Sequence, residues 1–511
     1  MLQLNLQRMA NHFHVSLDSL RATGAARVPA HSHAASPPNG KRFFIETFGC
    51  QMNDHDSEKV AGVLLGRGYA MVGTPDAADV VLYNTCSIRE KAAQKVFSRL
   101  GLHHPRERLA NKVVAVLGCV AQQEGEEIFE RAPWVSLVCG SASYSKLPEL
   151  IEQIEAGNRR VLGLDTDTEE TFETEFTRRD NPFRAYLTII EGCDKACTYC
   201  VVPFTRGPER SRASQSVLDE VRQLADWGYS EVQLLGQTVN SYRDPAPRAM
   251  TFAQLLSAIA QVPGIRRVRF TTSHPNDFGR DIIDAMDAHP EICNHIHLPV
   301  QSGSSKVLRD MRRTYTREEY VAKIEMIRSA RRPISITSDL IVGFPTETEA
   351  DFEQTISLLD IAQYDGAFSF KFSPRPNTAA QELPDAVPEP EKDRRLQVLN
   401  EKLRHIQLTR NQARVGHTFE VLVDNRSARA AHWSGRTSSH ITVNFNSQRE
   451  DLLGSHVNVR ITKATPNSLV GELVEAEGET EKSKLDIRQR IIPPSASEST
   501  SAPAPLPTSS S

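Results

Sequence analysis

From residue 43 the chain alternates short apolar runs with longer stretches of helical polarity. Phe43–Phe48, Val80–Asn84, Val113–Leu117 and Val135–Val138 predict strands. Ser57–Arg67, Glu90–Leu100, Glu124–Arg131 and Tyr144–Ala156 predict the helices between them, so residues 41–157 form a βαβα series with a parallel sheet. An acidic, Thr-rich stretch from Asp165 to Glu175 has few apolar side chains to bury, and 158–178 is assigned as a linker. The alternation resumes with strands at Ala185–Ile190, Glu231–Leu235, Arg267–Thr271, His295–Val300, Ser335–Val342 and Ala367–Phe372. Helices at Ser216–Trp227, Thr251–Val262, Arg317–Arg331 and Thr348–Ile361 separate them, and repeated βα units close most naturally into a full or partial (βα)6 barrel over 179–413. A long charged helix, Glu391–Val415, leads to a last module at 414–477. Strands at Phe419–Val423, Ile441–Phe445 and Val457–Thr462 there predict a small β-barrel. The expected class is α/β: an open parallel-sheet domain, a partial barrel and a small C-terminal β-barrel. Residues 1–40 and 478–511, rich in Ser, Pro, Ala or His, are expected to be a disordered leader and tail.

Composition narrows this picture. A length of 511 residues implies several domains, and a net charge of −4 gives no overall attraction to a polyanion, so a nucleic-acid partner needs local basic patches. No apolar run reaches membrane-spanning length, and the leader lacks a hydrophobic signal core; neither a membrane nor a secreted location is expected. The leader has three arginines and a single acid, Asp18, which also fits an organellar transit peptide. Eight cysteines are few for a disulfide framework, and their clustering points to metal ligation in a reducing, cytoplasmic setting.

Cys193, Cys197 and Cys200 form a CxxxCxxC loop directly after the first barrel strand. Three thiolates can hold three irons of a cubane and leave the fourth iron open to substrate. A zinc knuckle is the alternative; such sites usually close with a fourth Cys or His at short spacing, and none follows here. Cys50, Cys86 and Cys119 each fall just past a strand of the first domain, one βα unit apart. In an open parallel sheet those ends line one crevice, where three cysteines can meet on one ligand. Scattered buried cysteines are the bland alternative. Cys139 also follows a strand and could supply a fourth ligand, while Cys293 is read as packing.

The loop and its barrel resemble the radical S-adenosylmethionine superfamily. Gly49-Cys50-Gln51-Met52-Asn53, Asn84-Thr85-Cys86-Ser87-Ile88-Arg89 and Gly118-Cys119-Val120-Ala121-Gln122 resemble the amino-terminal domain of its methylthiotransferases. Val201-Val202-Pro203-Phe204-Thr205-Arg206-Gly207-Pro208-Glu209-Arg210-Ser211-Arg212 and Phe368-Ser369-Phe370-Lys371-Phe372-Ser373-Pro374-Arg375-Pro376-Asn377-Thr378 point to the tRNA-modifying branch, and Gln51 and Met52 argue against the branch acting on a ribosomal protein. The resemblance spans roughly 41–477 and includes a TRAM-like last domain.

What the resemblance implies is specific. Catalysis would rest on two 4Fe-4S clusters: an auxiliary one on Cys50, Cys86 and Cys119, and one on Cys193, Cys197 and Cys200 that binds S-adenosylmethionine. Two molecules of S-adenosylmethionine would serve each turnover, one as radical source and one as methyl donor. Its binding positions would be Tyr199, Gly236, Gln237 and Asn240 after Leu235, then Ser273, then Asp339, Ile341 and Gly343. The family pattern has three auxiliary ligands, which leaves Cys139 to packing. The reaction would add a methylthio group at C2 of N6-isopentenyladenosine beside the anticodon; threonylcarbamoyl-adenosine in tRNA or a ribosomal protein is the alternative substrate. The expected partners are a tRNA anticodon stem-loop and a flavodoxin- or ferredoxin-like reductant, with the enzyme a monomer. Independently of family, Arg206, Arg210 and Arg212, and Arg309, Arg312 and Arg313, form basic runs beside the expected catalytic mouth and are read as phosphate contacts.

Overall fold

The computed structural model describes residues 39–87, 90–102, 112–165, 177–246, 249–384, 387–426 and 432–474. The leader expected at 1–40, apart from residues 39 and 40, and the tail expected at 478–511 lie outside them.

The first region is a six-stranded sheet in the order β2-β1-β3-β4-β5-β6, formed by β1 (Arg42–Phe48), β2 (Ala70–Met71), β3 (Val80–Thr85), β4 (Val113–Gly118), β5 (Leu137–Cys139) and β6 (Val161–Gly163). Every pairing is parallel. β3 and β4 are buried along their whole length, which is why their sequences read as continuous apolar runs rather than alternating ones. Successive residues face opposite layers. Phe43, Ile45, Leu82 and Leu117 pack with Val60, Leu64 and Ile151; Phe44, Val81, Val114 and Val116 pack with Val96, Ile128 and Phe129 on the other face. β2 lies on one side of β1 and β3 on the other, so the chain reverses direction across the sheet between β1 and β3. Such a switch point opens a crevice at the strand C-terminal ends.

Two expectations are corrected here. β6 falls inside the expected linker: three residues with a central exposed Leu162 carry too short a pattern to register as a strand, and the sheet edge supplies the pairing. The first helix runs Gln51–Gly66, beginning before the expected Ser57 because its N-cap is Cys50, outside the usual Ser, Thr, Asp and Asn set.

The central region has β7 (Arg184–Thr188), β10 (Glu231–Leu235) and β11 (Arg267–Phe270) in one parallel sheet, and β12 (His295–His297), β13 (Ser335–Val342) and β14 (Gly366–Lys371) in another. A parallel bridge from Val268 to Ile292 joins them, so six strands run in chain order as a partial barrel. A short ribbon, β8 (Ile190–Glu191) with β9 (Arg210–Ser211), folds over the end of β7. Helices such as Ser214–Asp226, Phe252–Ala260 and Glu349–Ala362 bury Val217, Leu256 and Leu358 against the strands. The long helix Glu389–Gln412 adds Leu399, Leu403 and Ile406 to the same core.

The last region closes a barrel of β15 (Thr418–Arg426), β16 (His432–Thr437), β17 (Thr442–Asn446), β18 (His456–Ala464) and β19 (Ser468–Leu473). Sequence reading missed β16 and β19, whose apolar residues are few and interrupted by Gly435 and Gly471. This barrel docks on the N-terminal rim of the six strands. Arg267 and Arg269 reach from β11 to the carbonyls of Arg436 and Thr437, and Asn294 donates its N–H to the Ser438 hydroxyl. The opposite, C-terminal rim is left to the cysteine loops.

Candidate functional site

Cys50, Cys86 and Cys119 stand at the C-terminal ends of β1, β3 and β4, at and beside the switch point. Their loops are held together by a buried amide network. Asn53 Oδ1 lies 3.4 Å from both the Cys50 N and its Sγ; Asn53 Nδ2 donates to Asn84 Oδ1 at 3.3 Å; and Asn84 Nδ2 donates to the Asn53 carbonyl and to Ser57 Oγ, both at 2.9 Å. Gly118, just before Cys119, has φ +90°, and a Cβ there would lie 2.4 Å from Asn84 Oδ1 and 2.8 Å from the Thr85 carbonyl. Only a residue without a side chain lets the β4 loop come this close to the β3 loop. The Cys50 thiol is lowered, first by its hydrogen bond with Cys86 and then by the backbone of Asn53; burial pushes the Cys119 thiol up. Thr85 Oγ1, Ser87 Oγ and Tyr144 Oη are buried here without a protein partner.

Cys193, Cys197 and Cys200 follow β8. The loop is pinned from several sides: Cys193 N donates to the Gly207 carbonyl at 3.2 Å, Thr198 N to that of Met311 at 3.1 Å, and Ala380 N to that of Thr198 at 2.8 Å. Burial pushes Cys193 up and Cys200 up to about 12, and the neighbouring thiols add to both shifts. Three unpaired thiols crowded in this way suit a cation that displaces their protons. Among the described residues no three His, Cys, Asp or Glu side chains are placed to chelate a single ion. A cubane places each thiolate on its own iron and so accepts sulfurs spread more widely than a one-ion site does. The donor chemistry fits such a group at both triads, and the orphaned hydroxyls add to the fit at the first.

The two triads are physically linked. Arg206, in the short helix Val202–Arg206 that follows the second triad, is 6% exposed. Its Nη atoms grip the Asp56 carboxylate at 3.3 and 2.5 Å, and Nε donates to Cys119 Sγ at 3.3 Å. Further bonds tie the first helix to the barrel: His55 Nδ1 with Thr188 Oγ1 at 2.8 Å, Lys59 with Glu191 at 3.2 Å, and Gln233 Nε2 to Gln51 Oε1 at 2.9 Å.

Three of the arginines expected as phosphate contacts are buried against protein partners. Arg206 is occupied as above. Arg212 is 4% exposed, with Nη1 on Glu220 at 2.5 Å and Nε on Ser216 Oγ at 3.0 Å. Arg313 is buried, with Nη2 on the Pro299 carbonyl at 2.9 Å, Nε on the Tyr315 hydroxyl at 2.9 Å and Nη1 3.6 Å from Cys197 Sγ. A basic run looks alike in sequence whether its charges meet solvent or buried partners; here Asp56 lies 150 residues from Arg206, Glu220 stands on the helix after Arg212, and Arg313 meets a carbonyl and a hydroxyl. Arg309 and Arg312 are exposed, and Arg210 is half-buried beside Glu191.

The positions assigned to S-adenosylmethionine distribute over the C-terminal rim of the barrel. Gly236 packs against Ile190. Gln237 Oε1 and Ser273 Oγ are buried without a partner. Asn240 uses both ends of its amide on the His274 backbone, at 2.8 and 2.7 Å, so it holds the rim together. Asp339 faces His297 at 3.5 Å, and Ile341 and Tyr199 pack on the same apolar cluster as Phe344 and Phe372. Gly343, at φ +72°, lies against the stem of Lys392 and donates its N–H to Glu347. Sequence reading missed Asn53, Asp56 and Asn84; the quoted motifs around Cys50 and Cys86 contain two of them but give no sign of their pairing across loops. Cys139 is fully buried among Leu137, Leu147 and Leu150, and Cys293 is buried beside Arg269.

Comparison with known proteins gives the class first. Profiles match in three consecutive pieces: Uncharacterized protein family UPF0004 over residues 42–140, the Radical SAM superfamily over 187–359 and the TRAM domain over 412–474. A solved radical S-adenosylmethionine methyltransferase, TsrM, from Kitasatospora setae, with cobalamin and a 4Fe-4S cluster bound, shares the fold at a TM-score of 0.51 and 15% identity, over 67% of this chain and 77% of that one. Relatives in Solibacter usitatus and Koribacter versatilis, both named tRNA-2-methylthio-N(6)-dimethylallyladenosine synthase, are 63% identical over 437 residues and 59% identical over 438. Each match covers 85% of this chain and 98% of the relative; a third, from Aquifex aeolicus, is 43% identical over 439 residues. The chain belongs to the tRNA-2-methylthio-N(6)-dimethylallyladenosine synthase family of radical S-adenosylmethionine enzymes.

Proposed function

We propose that this protein adds a methylthio group at C2 of N6-dimethylallyladenosine, the isopentenylated adenosine beside the anticodon of tRNA. The observation that carries the reading is the meeting of two cysteine triads across one joint, in a chain that matches nearly the full length of relatives bearing that name. Cys193, Cys197 and Cys200 would hold one 4Fe-4S cluster with an iron open to S-adenosylmethionine, and Cys50, Cys86 and Cys119 a second. When bound, the first supplies the electron that cleaves S-adenosylmethionine and the second carries the sulfur that ends on the base. The chain's own residues do the positioning. The Asn53–Asn84 network fixes the first triad at the switch point; the bonds of Thr198 and Ala380 fix the second; Arg206 and Gln51 lock the two halves in register. Gln237 and Ser273, with polar atoms free on the rim, are the S-adenosylmethionine contacts best supported among those expected.

The adenosine must leave its stack to reach this mouth, as single-stranded RNA bases do when proteins read them. Phe204, 57% exposed directly beyond the second triad, offers a ring for stacking, and Arg210 and Arg312 lie beside the same loops. The C-terminal barrel, docked on the opposite rim, would hold a more distant part of the tRNA. A flavodoxin- or ferredoxin-like protein would deliver the electrons, and the enzyme would act as a cytoplasmic monomer. Among the described residues no helix is long and apolar enough to cross a membrane.

The test is anaerobic turnover of iron-reconstituted protein with dithionite, S-adenosylmethionine and isopentenylated anticodon stem-loop RNA, read by mass spectrometry of the nucleosides. The expected result is a methylthio adduct together with 5'-deoxyadenosine. Cleavage without an adduct on this RNA, but with one on threonylcarbamoylated RNA or a ribosomal protein, would overturn the substrate; no cleavage would overturn the radical chemistry.

A further inference from the structure

Arg206 has a geometry that an ordinary buried ion pair does not need. Its two terminal nitrogens take both oxygens of Asp56, which fixes the plane of the guanidinium and leaves Nε–H with one direction to point. That direction ends on Cys119 Sγ at 3.3 Å. The residue is carried by the helix after the second triad, yet its head lies among the first, so the contact exists only in the assembled molecule.

We propose that Arg206 is a positioning residue for the first triad: its N–H···S hydrogen bond and fixed positive charge on Cys119 set the reduction potential of the cluster held there. This rests on the reading that Cys50, Cys86 and Cys119 hold an iron-sulfur cluster. Reduction adds negative charge to a cluster. A donor on a ligating sulfur, in a site that excludes water, stabilises the reduced form more than the oxidised one and raises the potential. Asp56 works against this by offsetting part of the guanidinium charge while holding it in place, so the two residues should shift the potential in opposite directions.

The experiment uses the full chain with Cys193, Cys197 and Cys200 replaced by Ala, so that a single cluster remains. After anaerobic iron reconstitution, its midpoint potential is measured by EPR-monitored redox titration. Arg206→Gln is expected to lower the midpoint at unchanged iron content, Arg206→Lys to lower it less, and Asp56→Asn to raise it. An Arg206→Gln protein with full iron content and an unchanged midpoint would overturn the proposal. Where Arg206→Gln loses its iron, Asp56→Asn decides, and a midpoint that fails to rise overturns it equally. A parent triple variant that binds no cluster would instead overturn the assignment of the first triad, which separates the two failures.

Discussion

At the scale of single residues, the same chemistry serves different ends according to what stands opposite it. Cys50 and Cys139 both close a strand of one sheet, but Cys50 meets Cys86 and Asn53 while Cys139 meets leucines. The six cysteines of the triads should therefore separate into two phenotypes. Cys193→Ala is expected to abolish S-adenosylmethionine cleavage, whereas Cys86→Ala should retain cleavage to 5'-deoxyadenosine and lose the methylthio product. Loss of cleavage in both would refute the division of labour. Arg212 carries a different expectation. It is buried against Glu220, so Arg212→Ala removes one of the two arginines that hold this buried carboxylate among the described residues, and should cost roughly 3 kcal/mol of stability. The salt dependence of tRNA binding should keep its slope, because no phosphate contact is removed; a slope smaller by about one would restore Arg212 as an RNA contact.

At the scale of elements, the turns that leave β1, β3 and β4 each deliver a cysteine, and those of β3 and β4 approach so closely that their backbone geometry becomes part of the site. Gly118→Ala places a methyl group at φ +90° against the Thr85 carbonyl. The expected cost is about 1–3 kcal/mol, with reduced iron loading, because relief requires Cys119 to move away from Cys86. Chemical denaturation together with iron content per chain checks this; full loading at unchanged stability would show that the turn tolerates a side chain. The helix pattern was readable in sequence in longer elements where apolar residues recur, as in Ser214–Asp226, but not in the nine-residue helix Arg280–Ala288 or where a helix begins on an atypical cap, as at Cys50. The strand pattern failed in short edge strands such as Val161–Gly163, which borrow their stability from a neighbour.

At the scale of the whole molecule, the C-terminal barrel is attached through buried polar groups, and this makes the junction sensitive to acid. His295 of β12 stacks on His440 of the barrel with ring centroids 4.9 Å apart. Burial lowers His295 to about 3 and His440 well below its ordinary value. In the unfolded or undocked chain each titrates near 6.5. Below that pH the open state binds more protons than the native state, so stability falls on acidification, by at most about 1.4 kcal/mol per pH unit for each histidine. Above pH 7 the two contribute no pH dependence. Hydrogen exchange of residues 432–446, corrected for intrinsic rates, should show easier opening at pH 5 than at pH 7, and His295→Asn should weaken that difference. Equal protection at the two pH values would contradict neutral burial of the pair.

The sequence by itself determined the α/β class and the succession of sheet, partial barrel and small β-barrel, because periodicity is a local property written along the chain, and it supplied the motifs on which six of the cysteines are proposed as cluster ligands. It also placed Cys50, Cys86 and Cys119 at equivalent strand ends, since a βα repeat returns the chain to the same edge. Only the tertiary structure decided what Arg206, Arg212 and Arg313 do. Their partners, Asp56, Glu220 and the Pro299 carbonyl, belong to other turns of the fold, and a positive charge in a sequence does not reveal whether water or a buried acid will face it. The junction of the two triads and the docking of the last barrel on the far rim were settled in the same way, by packing between segments up to some hundred and seventy residues apart.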